Sequence, residues 1–391
     1  MSDRRSLGIY VSSVVAGVLL SAFIHSWLSN PSIYSDIGSF WSRPWVQAAE
    51  VPYVQAFFEY PPLSGFAVYL ARVIGGSYEG YYLTFLALDL LAGVALAWST
   101  WRTARALGKN LNALYFVIPG MVVYSFYSFD LFHVLFIMLS LQLFLEKRNS
   151  LSAFSLGLAT ATKLVGGLLL PVYLMETKVP KKRWEYLVVF LETVGAAYLP
   201  LAVINSTNIF GLFTYYGSWG LEDAWYVWIF QNPAAWTYAK VFGLVFGAFL
   251  LYAVYTSKLP IAEKSFLALS AYLLGTYIYA PQFSVMLIPF AALLSLDGPL
   301  LFVWDVSNVM IILTWFTTPD PTLAWTVPQA MALVRSAALG GMCLVLARRA
   351  SIGLRRPGPP EIRPVSSASS TSQSMIARVG RYGQERLMKR P

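Results

Sequence analysis

The sequence predicts an all-α protein that crosses a membrane many times. Hydrophobic residues make up 57% of the 391 positions and charged residues only 12%, whereas soluble domains average about a quarter charged residues. The mean hydropathy is +0.58. The first apolar run, residues 7–28, is long enough to span a bilayer and lacks the small-residue cleavage pattern of a signal peptide. We therefore expect a multi-pass membrane protein that keeps its first helix.

Cysteine and histidine are scarce. The chain contains one cysteine, Cys343, and two histidines, His25 and His133. A single thiol excludes an internal disulfide framework and a thiolate metal cluster. Two histidines argue against a zinc or iron site built from imidazoles. We therefore predict no metal ion and no cofactor.

Basic and acidic residues fall in different connections between the apolar runs. The acidic connections are residues 36–79, 222–223 and 320. By the positive-inside rule the basic connections are cytoplasmic, so the acidic ones lie on the outer face and both termini are cytoplasmic. The basic connections are residues 4–5, 102–109, 147–148, 178–183 and 258–264, together with the tail from residue 348.

The tail, residues 348–391, holds ten Arg or Lys and two Glu. Its middle, residues 355–374, is rich in Ser, Pro and Gly and is predicted to be disordered. Basic residues after a last membrane helix fix orientation and contact anionic lipid. We therefore expect membrane lipids, and not nucleic acid, as the partner of this cytoplasmic tail, while residues 1–347 form the transmembrane domain.

The charge pattern limits the number of crossings in the first third of the chain. Only one crossing fits between the outer Asp36 and the cytoplasmic Arg102, and residues 81–100 supply it. Residues 62–74 then cannot span as well, because they make about 20 Å of helix against a core of about 30 Å. The sequence therefore predicts a half-inserted helix in the first outer loop, residues 29–80.

The start of this helix is marked by Pro61 and Pro62. Each proline lacks an N–H donor and disfavours helical backbone in the residue before it. We therefore predict that Glu59 and Tyr60 are extended and that the helix begins at Pro62. This arrangement directs a carboxylate at the outer face while keeping it off the helix.

Residues 151–175 lie between two basic connections, so they must go out and return. They are too few for two full spans, which predicts a bent hairpin with its tip near residues 163–167, where two glycines absorb the turn. Lys163 is then expected inside the outer half of the bundle. About twelve crossings result in all. The remaining predicted spans are residues 112–128, 129–145, 184–204, 236–255, 266–280, 283–296, 300–316 and 327–347.

The most informative stretch is residues 34–63 of the first outer loop. Asp36, Glu50 and Glu59 lie here with only Arg43 to balance them, in a chain whose net charge is +9. Carboxylates beside a membrane-embedded bundle are costly unless a cation or a chemical step uses them. We therefore place the active site in this loop.

A second outer loop, residues 205–235, is long, acidic and aromatic. Tyr and Trp prefer the membrane interface, so one interpretation is an anchoring belt. The other is a lid or acceptor platform, because the faces of sugar rings stack well on aromatic side chains. The sequence leaves both interpretations open.

Five short elements follow one another along the chain: Tyr34-Ser35-Asp36, Pro52-Tyr53, Phe58-Glu59-Tyr60-Pro61-Pro62-Leu63, Ala161-Thr162-Lys163 through Leu170-Pro171, and Ala280-Pro281-Gln282-Phe283 through Pro289. In this order they resemble the GT-C superfamily of integral-membrane glycosyltransferases, and the resemblance covers roughly residues 7–296. Within it, the chain is most similar to the polyprenyl-phosphate-mannose-dependent enzymes of glycosyltransferase family 87, and more distantly to the GPI first mannosyltransferase.

The resemblance implies a GT-C-like bundle and an inverting transfer of a sugar, expected to be mannose, from a polyprenyl-phosphate donor to a hydroxyl of a lipid or glycan acceptor. Asp36 occupies the position of the general base, which takes the proton of the attacking hydroxyl. The leaving phosphate needs cationic donors, which Lys163 and, as a lesser candidate, Arg43 would supply. Gln282 would bind phosphate or sugar. Because Ile37-Gly38 follows Asp36, there is no Asp-x-Asp pair, and we predict metal independence.

Other roles are open for these candidates. Asp36 could be a solvated loop aspartate. Glu59, beside Tyr60, could cap or anchor the outer helix instead of binding substrate. Asp130 could be an acid stabilised by a helix dipole or, with His133 next in line, a second group that binds substrate.

Two acids within predicted spans, Asp89 and Glu192, need partners. Arg335 is the candidate partner for either, because an ion pair inside the bundle offsets the cost of a carboxylate at membrane depth.

Two other function classes compete with the glycosyltransferase. A transporter or flippase would also use charges and broken helices within the membrane, although no clear repeat relates the two halves of the chain. A non-catalytic membrane subunit of a glycan-assembly complex would keep the fold without needing Asp36. The scarce cysteine favours a prokaryotic plasma membrane, with the active site facing outside.

Overall fold

The computed structural model describes residues 3–30, 32–296 and 298–355, and within these ranges the chain is helical, with two isolated β-bridges and no strand. Short 3-10 helices connect or extend the α-helices. The α-helices of the described residues are α1 (Asp3–His25), α2 (Asp36–Trp41), α3 (Pro44–Gln47), α4 (Pro62–Gly75), α5 (Tyr78–Ala106), α6 (Pro119–Tyr124), α7 (Asp130–Leu145), α8 (Asn149–Thr162), α9 (Leu170–Glu176), α10 (Pro180–Ile204), α11 (Ser206–Tyr215), α12 (Trp236–Thr256), α13 (Ile261–Gly275), α14 (Ile288–Leu294), α15 (Pro299–Trp315) and α16 (Val327–Arg355).

Five helices in the described part of the chain are long and apolar enough to cross a membrane. They are Ser6–His25, Tyr78–Ala106, Pro180–Ile204, Pro233–Thr256 and Val327–Arg349. Five of the other predicted crossings correspond to shorter apolar helices of 10–17 residues, and the remaining two correspond to α8 and α13, of 14 and 15 residues. The prediction of a polytopic all-α membrane protein is confirmed, whereas the count of about twelve crossings stays a prediction.

Two predicted spans are broken instead of continuous. Residues 112–128 form a 3-10 helix, Ala113–Phe116, followed by the short α6. The break is fixed from outside the segment, because both carboxylate oxygens of Asp305 accept the Gly120 N–H, at 3.0 and 3.1 Å. Residues 283–296 likewise consist of a 3-10 helix, Pro281–Met286, and α14. Hydropathy detects the apolar runs but not these interruptions.

The helix of the first outer loop begins where the prolines predict. α4 starts at Pro62 after non-helical backbone at Glu59 and Tyr60. The Tyr53 hydroxyl donates to the carbonyl oxygens of Tyr60 and Pro61, at 2.7 and 2.8 Å, so this segment is held by its own loop. Residues 59 and 60 form a bend, which differs from the extended backbone that the two prolines predict. The predicted half-insertion of α4 in the membrane stays a prediction.

The predicted break at Lys163 is confirmed. α8 ends at Thr162, Lys163 is extended (φ −145°, ψ 129°), and a 3-10 helix, Leu164–Leu169, leads into α9. The chain folds back here, because a Cβ atom on Gly166 would lie only 3.0 Å from backbone atoms of Ala159 and Thr160. Ser64 of α4 donates to the Thr162 carbonyl oxygen at 2.7 Å, which places α4 beside this break.

Contacts between connections group them as the charge pattern predicts. At one end, here called the acidic end, the two large predicted outer loops meet where Asn208 Nδ2 donates to the Tyr53 carbonyl oxygen at 3.2 Å. At the basic end, Arg102 pairs with Glu146 at 2.7 Å and Lys264 with Glu176 at 2.8 Å. The side of the membrane on which each end lies stays a prediction.

Two boundaries differ from the sequence prediction. The loop at residues 205–235 contains a regular helix, α11, which packs on the first outer loop. The last helix was expected to end at residue 347 but continues to Arg355, so the start of the predicted tail is helical. The rest of that tail, residues 356–391 with its Ser/Pro/Gly-rich part, lies outside the described residues.

α12 and α13 pack closely through glycines, and this contact carries a stability prediction. A methyl group on Gly275 would lie 2.5 Å from the Gly247 Cα atom and 2.9 Å from the Gly243 carbonyl oxygen, all in the backbone. Gly275→Ala should therefore destabilise the protein by about 1–3 kcal/mol, measured as a lower melting temperature in detergent. Gly340→Ala, where nothing lies within 4 Å, is the control and should be neutral or stabilising. Equal melting temperatures for the two variants would contradict this packing.

The predicted orientation can be tested by cysteine labelling in a Cys343→Ala background. Ala48 at the acidic end and Asn110 at the basic end are both exposed. Because basic connections stay in the cytoplasm, Ala48→Cys should react with an impermeant thiol reagent in intact cells, and Asn110→Cys only after permeabilisation. Labelling of both positions from the same side would contradict the assigned topology.

Candidate active site

A cavity of about 630 Å³ opens among the connections of the acidic end, within the range typical of small-molecule sites. Five predicted site residues line it: Asp36, Glu59, Tyr60, Lys163 and Gln282. They come from four separate segments of the chain, so the fold brings together what the sequence order only suggested. The remaining three predicted site residues, Arg43, Asp130 and His133, do not line the cavity.

Asp36 is held at the first turn of α2. The Ser35 side chain caps this helix by accepting the Gly38 N–H at 3.3 Å. The Asp36 carboxylate is 8% exposed and accepts hydrogen bonds from the Tyr34 hydroxyl at 3.3 Å and from Gln282 Nε2 at 3.5 Å. The alternative of a solvated loop aspartate is therefore wrong.

Burial raises the pKa of Asp36 to about 7. The nearby Lys163 ammonium partly offsets this shift, while the charges of Asp130 and Glu59 add to it. A carboxyl group with a pKa near neutrality is suited to accept a proton from a substrate at physiological pH. The position and the environment of Asp36 both fit a general base.

Lys163 lies at the break between α8 and the following 3-10 helix. Its ammonium pairs with the Asp130 carboxylate at 2.5 Å and lies over the Phe283 and Phe129 rings, 4.4 and 5.4 Å from their centroids. Asp130 thus fixes the ammonium from behind the cavity wall. The structure places Asp130 as a positioning residue for Lys163, and the prediction that it binds substrate directly is not supported by this geometry.

His133 also lies behind the wall. Its side chain is 0% exposed, and Nδ1 lies 3.0 Å from the Ala159 carbonyl oxygen, which ties α7 to α8. Nε2 has no hydrogen-bond partner among the described residues. The expectation that His133 contacts substrate is corrected, because the imidazole does not reach the cavity.

Arg43 and Glu59 form a bidentate ion pair, with both N···O distances at 2.5 Å. The guanidinium also stacks on Phe40 and Phe58, 5.0 and 5.3 Å from their centroids. Glu59 faces the cavity while Arg43 holds it from outside. Arg43 is therefore placed as the partner of Glu59, and the earlier expectation that it contacts a phosphate is not supported.

Gln282 is held by a buried network that the sequence did not reveal. Asn308 Nδ2 donates to the Pro281 carbonyl oxygen at 3.0 Å, and Arg335 donates to Asn308 Oδ1 at 2.8 Å. Arg335 also donates to the Tyr279 carbonyl oxygen at 2.7 Å. These bonds fix the backbone on both sides of Ala280, and so the direction in which Gln282 enters the cavity.

Arg335 was expected to pair with Asp89 or Glu192, and the pairing with Asp89 is wrong. Neither carboxylate oxygen of Asp89 has a hydrogen-bond partner among the described residues. No ion pair between Arg335 and Glu192 is found in the described part of the chain. The Arg335 guanidinium instead binds Asn308 and the backbone oxygens of Tyr279 and Asp223. Hydropathy cannot predict these contacts, because each partner lies in a connection or on another helix.

Two further acids, Glu222 and Asp223, line the same cavity and were not predicted as site residues. Burial raises the pKa of Glu222 to about 8, with Asp223 adding to the shift, and it raises the pKa of Asp223 to about 7 against the opposing charge of Arg335. The only sequence signal was an acidic pair among aromatics. Tyr216 and Trp219 of this loop also line the cavity, as does Tyr277 of a later segment. Whether the loop is an anchoring belt or a platform for the acceptor stays open.

No group of three or more His, Cys, Asp or Glu side chains arranged to hold a metal ion is found among the described residues. Metal independence stays a prediction, which activity in the presence of a chelator would test.

The fold and the apolar helices define an integral membrane protein with a largely apolar cavity at one end of its bundle, which several carboxyl groups and the Lys163 ammonium also line. No protein-family model and no curated protein matches the sequence. Three chains of solved structures are similar in fold. One is ArnT from Cupriavidus metallidurans bound to undecaprenyl phosphate, with a TM-score of 0.46, 15% identity, and coverage of 90% of this chain and 79% of that chain. At this TM-score the function proposed below rests on the cavity and not on the likeness.

The Asp130–Lys163 pair gives a stability prediction. Removing one partner of a buried ion pair leaves an uncompensated charge, so Asp130→Asn should cost about 3–5 kcal/mol. Asp130→Asn combined with Lys163→Met removes both charges and should restore part of the loss. Thermal unfolding of the detergent-solubilised protein measures both effects. If the double variant is less stable than the single variant, the two groups are not coupled as described.

Proposed function

We propose that this chain is a GT-C-like membrane glycosyltransferase. It transfers a sugar, mannose by the sequence resemblance, from a polyprenyl-phosphate donor to a hydroxyl of a lipid or glycan acceptor. The observation that carries the proposal is the presence of a buried carboxyl group, Asp36, and a buried ammonium, Lys163, on the wall of one cavity. Because both groups line the same cavity, one substrate can contact both of them.

In the proposed reaction, Asp36 accepts the proton of the nucleophile and Lys163 stabilises the negative charge of the leaving group. The Asp36 carboxylate takes the proton of the acceptor hydroxyl as its oxygen attacks the anomeric carbon. The bond from that carbon to the phosphate oxygen breaks, and the Lys163 ammonium stabilises the negative charge of the leaving polyprenyl phosphate. Attack opposite the departing phosphate inverts the anomeric centre.

The other predicted residues have supporting roles in this proposal. Gln282 donates to Asp36 and so helps to orient its carboxylate. Tyr60 lies edge-on to Phe129, with ring centroids 4.7 Å apart, and offers its face as a wall for the sugar. Glu59, neutralised by Arg43, is available to accept a substrate hydroxyl. Asp130 keeps the Lys163 ammonium at its position.

The proposed location follows from the charge pattern. The cavity is lined by both large loops of the acidic end, which the positive-inside rule puts outside the membrane. The donor's lipid tail would remain in the bilayer while its phosphate and sugar enter the cavity. We propose the outer face of a prokaryotic plasma membrane as the site of the reaction.

The function is tested by transfer assays with purified protein, polyprenyl-phosphate-[14C]mannose and a panel of acceptors that includes phosphatidylinositol and lipid-linked oligosaccharides. Because only ionised Asp36 can accept a proton, and its pKa is about 7, kcat/KM should rise with pH through about 7. Asp36→Asn should lower kcat by roughly a hundredfold or more while the protein still binds undecaprenyl phosphate. Asp320→Asn, an exposed residue at the same end, is the matched control and should keep the wild-type rate and pH profile.

Two outcomes would count against the proposal. Transfer that survives in Asp36→Asn with an unchanged pH profile would remove Asp36 as the base. Absence of transfer with every polyprenyl-phosphate sugar, combined with flux of the labelled lipid across liposomes, would favour a flippase.

A further inference from the structure

The cavity has a second polar cluster, formed by Glu222 and Asp223, apart from the one around Asp36. Asp36 interacts chiefly with Lys163, Asp130 and Glu59, whereas Glu222 and Asp223 interact with each other and with Arg335. Both clusters line one continuous cavity. A single ligand therefore meets two separate groups of polar side chains.

Asp223 is built into the wall in a strained but well-supported conformation. Its φ is 54°, in the left-handed region that aspartate and asparagine tolerate better than most residues. Gln329 Nε2 donates to its Oδ1 at 3.3 Å, and Arg335 donates to its backbone oxygen at 3.1 Å. The fold thus supplies partners for the backbone and for one carboxylate oxygen.

The other carboxylate oxygen of Asp223 has none. Asp223 is 0% exposed, and Oδ2 has no hydrogen-bond partner among the described residues. An unmade hydrogen bond at a buried polar atom costs about 1–3 kcal/mol, and buried polar groups in native proteins are nearly always paired. A buried acceptor that lines a cavity is therefore an indication of a ligand that donates to it.

Glu222 is fixed through its backbone, which leaves its side chain to the cavity. Its N–H donates to the Tyr277 carbonyl oxygen, and its own carbonyl oxygen accepts the Tyr279 N–H, both at 2.9 Å. These bonds join the loop to the segment that leads to Gln282. The side chain is half-buried and lines the cavity.

The chemistry of this cluster fits a neutral polyol better than an anion or a cation. Carboxyl groups, protonated or ionised, offer no positive charge to a phosphate, whereas the Lys163 ammonium does, so the donor's phosphate belongs at Lys163. Because burial raises the pKa of Glu222 to about 8, this group is largely protonated at neutral pH and can both donate and accept hydrogen bonds. Sugar hydroxyls, which also do both, match that pattern. Trp219 and Tyr277 add aromatic surface beside it.

We propose that Glu222 and Asp223 form the subsite that recognises hydroxyls of the donor sugar remote from its reacting carbon. This assignment rests on the glycosyltransferase function proposed above, and it makes these two residues determinants of which sugar is transferred. Asp36 and Lys163 act at the anomeric carbon and the phosphate. The Glu222–Asp223 pair forms hydrogen bonds with hydroxyls on the opposite side of the sugar ring.

The test compares lipid binding by the purified full chain in nanodiscs, with undecaprenyl phosphate and undecaprenyl-phosphate-mannose as probes. The affinity for undecaprenyl-phosphate-mannose divided by the affinity for undecaprenyl phosphate gives the contribution of the sugar to binding. Glu222→Ala and Asp223→Asn should each lower this ratio by about tenfold, the equivalent of one or two hydrogen bonds. The affinity for undecaprenyl phosphate alone should stay within about twofold of wild type.

Two matched variants control for charge and backbone. Glu79→Ala removes an exposed glutamate that does not line the cavity, and Asp320→Asn makes the same exchange as Asp223→Asn at another positive φ, 46°. Both should keep the wild-type ratio. Asparagine tolerates positive φ, so Asp223→Asn is expected to fold, and Glu222→Ala serves as the second, independent variant.

The outcomes separate this proposal from the one on which it rests. If wild type prefers the mannose lipid and neither variant changes that preference, the subsite is overturned while the glycosyltransferase function stands. If both lipids lose affinity equally in the variants, the acids support the fold and do not read the sugar, which also overturns it. If wild type binds neither these lipids nor the glucose and arabinose analogues, the proposed function itself fails.

Discussion

The buried ammonium of Lys163 is the constraint on which the rest of the site depends. A cation taken out of water is costly unless charge and hydrogen bonds compensate it, and here Asp130 and two phenylalanine rings do so. This requires α8 to stop at Thr162, so that the side chain of Lys163 meets the first turn of α7. It also requires the 281–286 helix to bring Phe283 over the ammonium. The burial of this one charge thus accounts for three features together: the break in α8, the short 3-10 helix and the position of Gln282.

A second buried cation, Arg335, stabilises the part of the cavity wall that carries Glu222 and Asp223. Its guanidinium binds Asn308 and the backbone oxygens of Tyr279 and Asp223, and it lies 3.5 Å from the Tyr279 ring centroid. These contacts tie α16 to the outer loop and to the segment before Gln282. The part of the cavity wall that carries Glu222 and Asp223 is therefore tied to α16 and does not depend on an isolated loop.

Local signals in the sequence predicted much of the site, and long-range contacts account for what it missed. Pro61 and Pro62 act on their own neighbours, so the start of α4 and the non-helical backbone at Glu59 could be predicted directly. Charge alternation grouped the loops that contact one another. By contrast, the break in residues 112–128 is fixed by Asp305, 185 positions from Gly120, and Asp223 acquires its role through Arg335, 112 positions away. His133 and Asp130 were selected for their proximity in sequence to a predicted outer end, which does not tell which side of a helix meets the cavity.

The balance of charge in the cavity bears on how such a site can work. Four carboxyl groups line it against one ammonium, Lys163, in the part of the chain that the structure describes, and an anionic lipid would be repelled if all four were ionised. Burial raises the pKa of Asp36, Glu222 and Asp223, and Arg43 neutralises Glu59, so the cavity holds far less negative charge at neutral pH than its composition indicates. A phosphate bound at Lys163 would cancel the charge that holds the pKa of Asp36 down, and a carboxylate of higher pKa is a stronger base. Donor binding would therefore raise the pH above which Asp36 is ionised and able to act as the base.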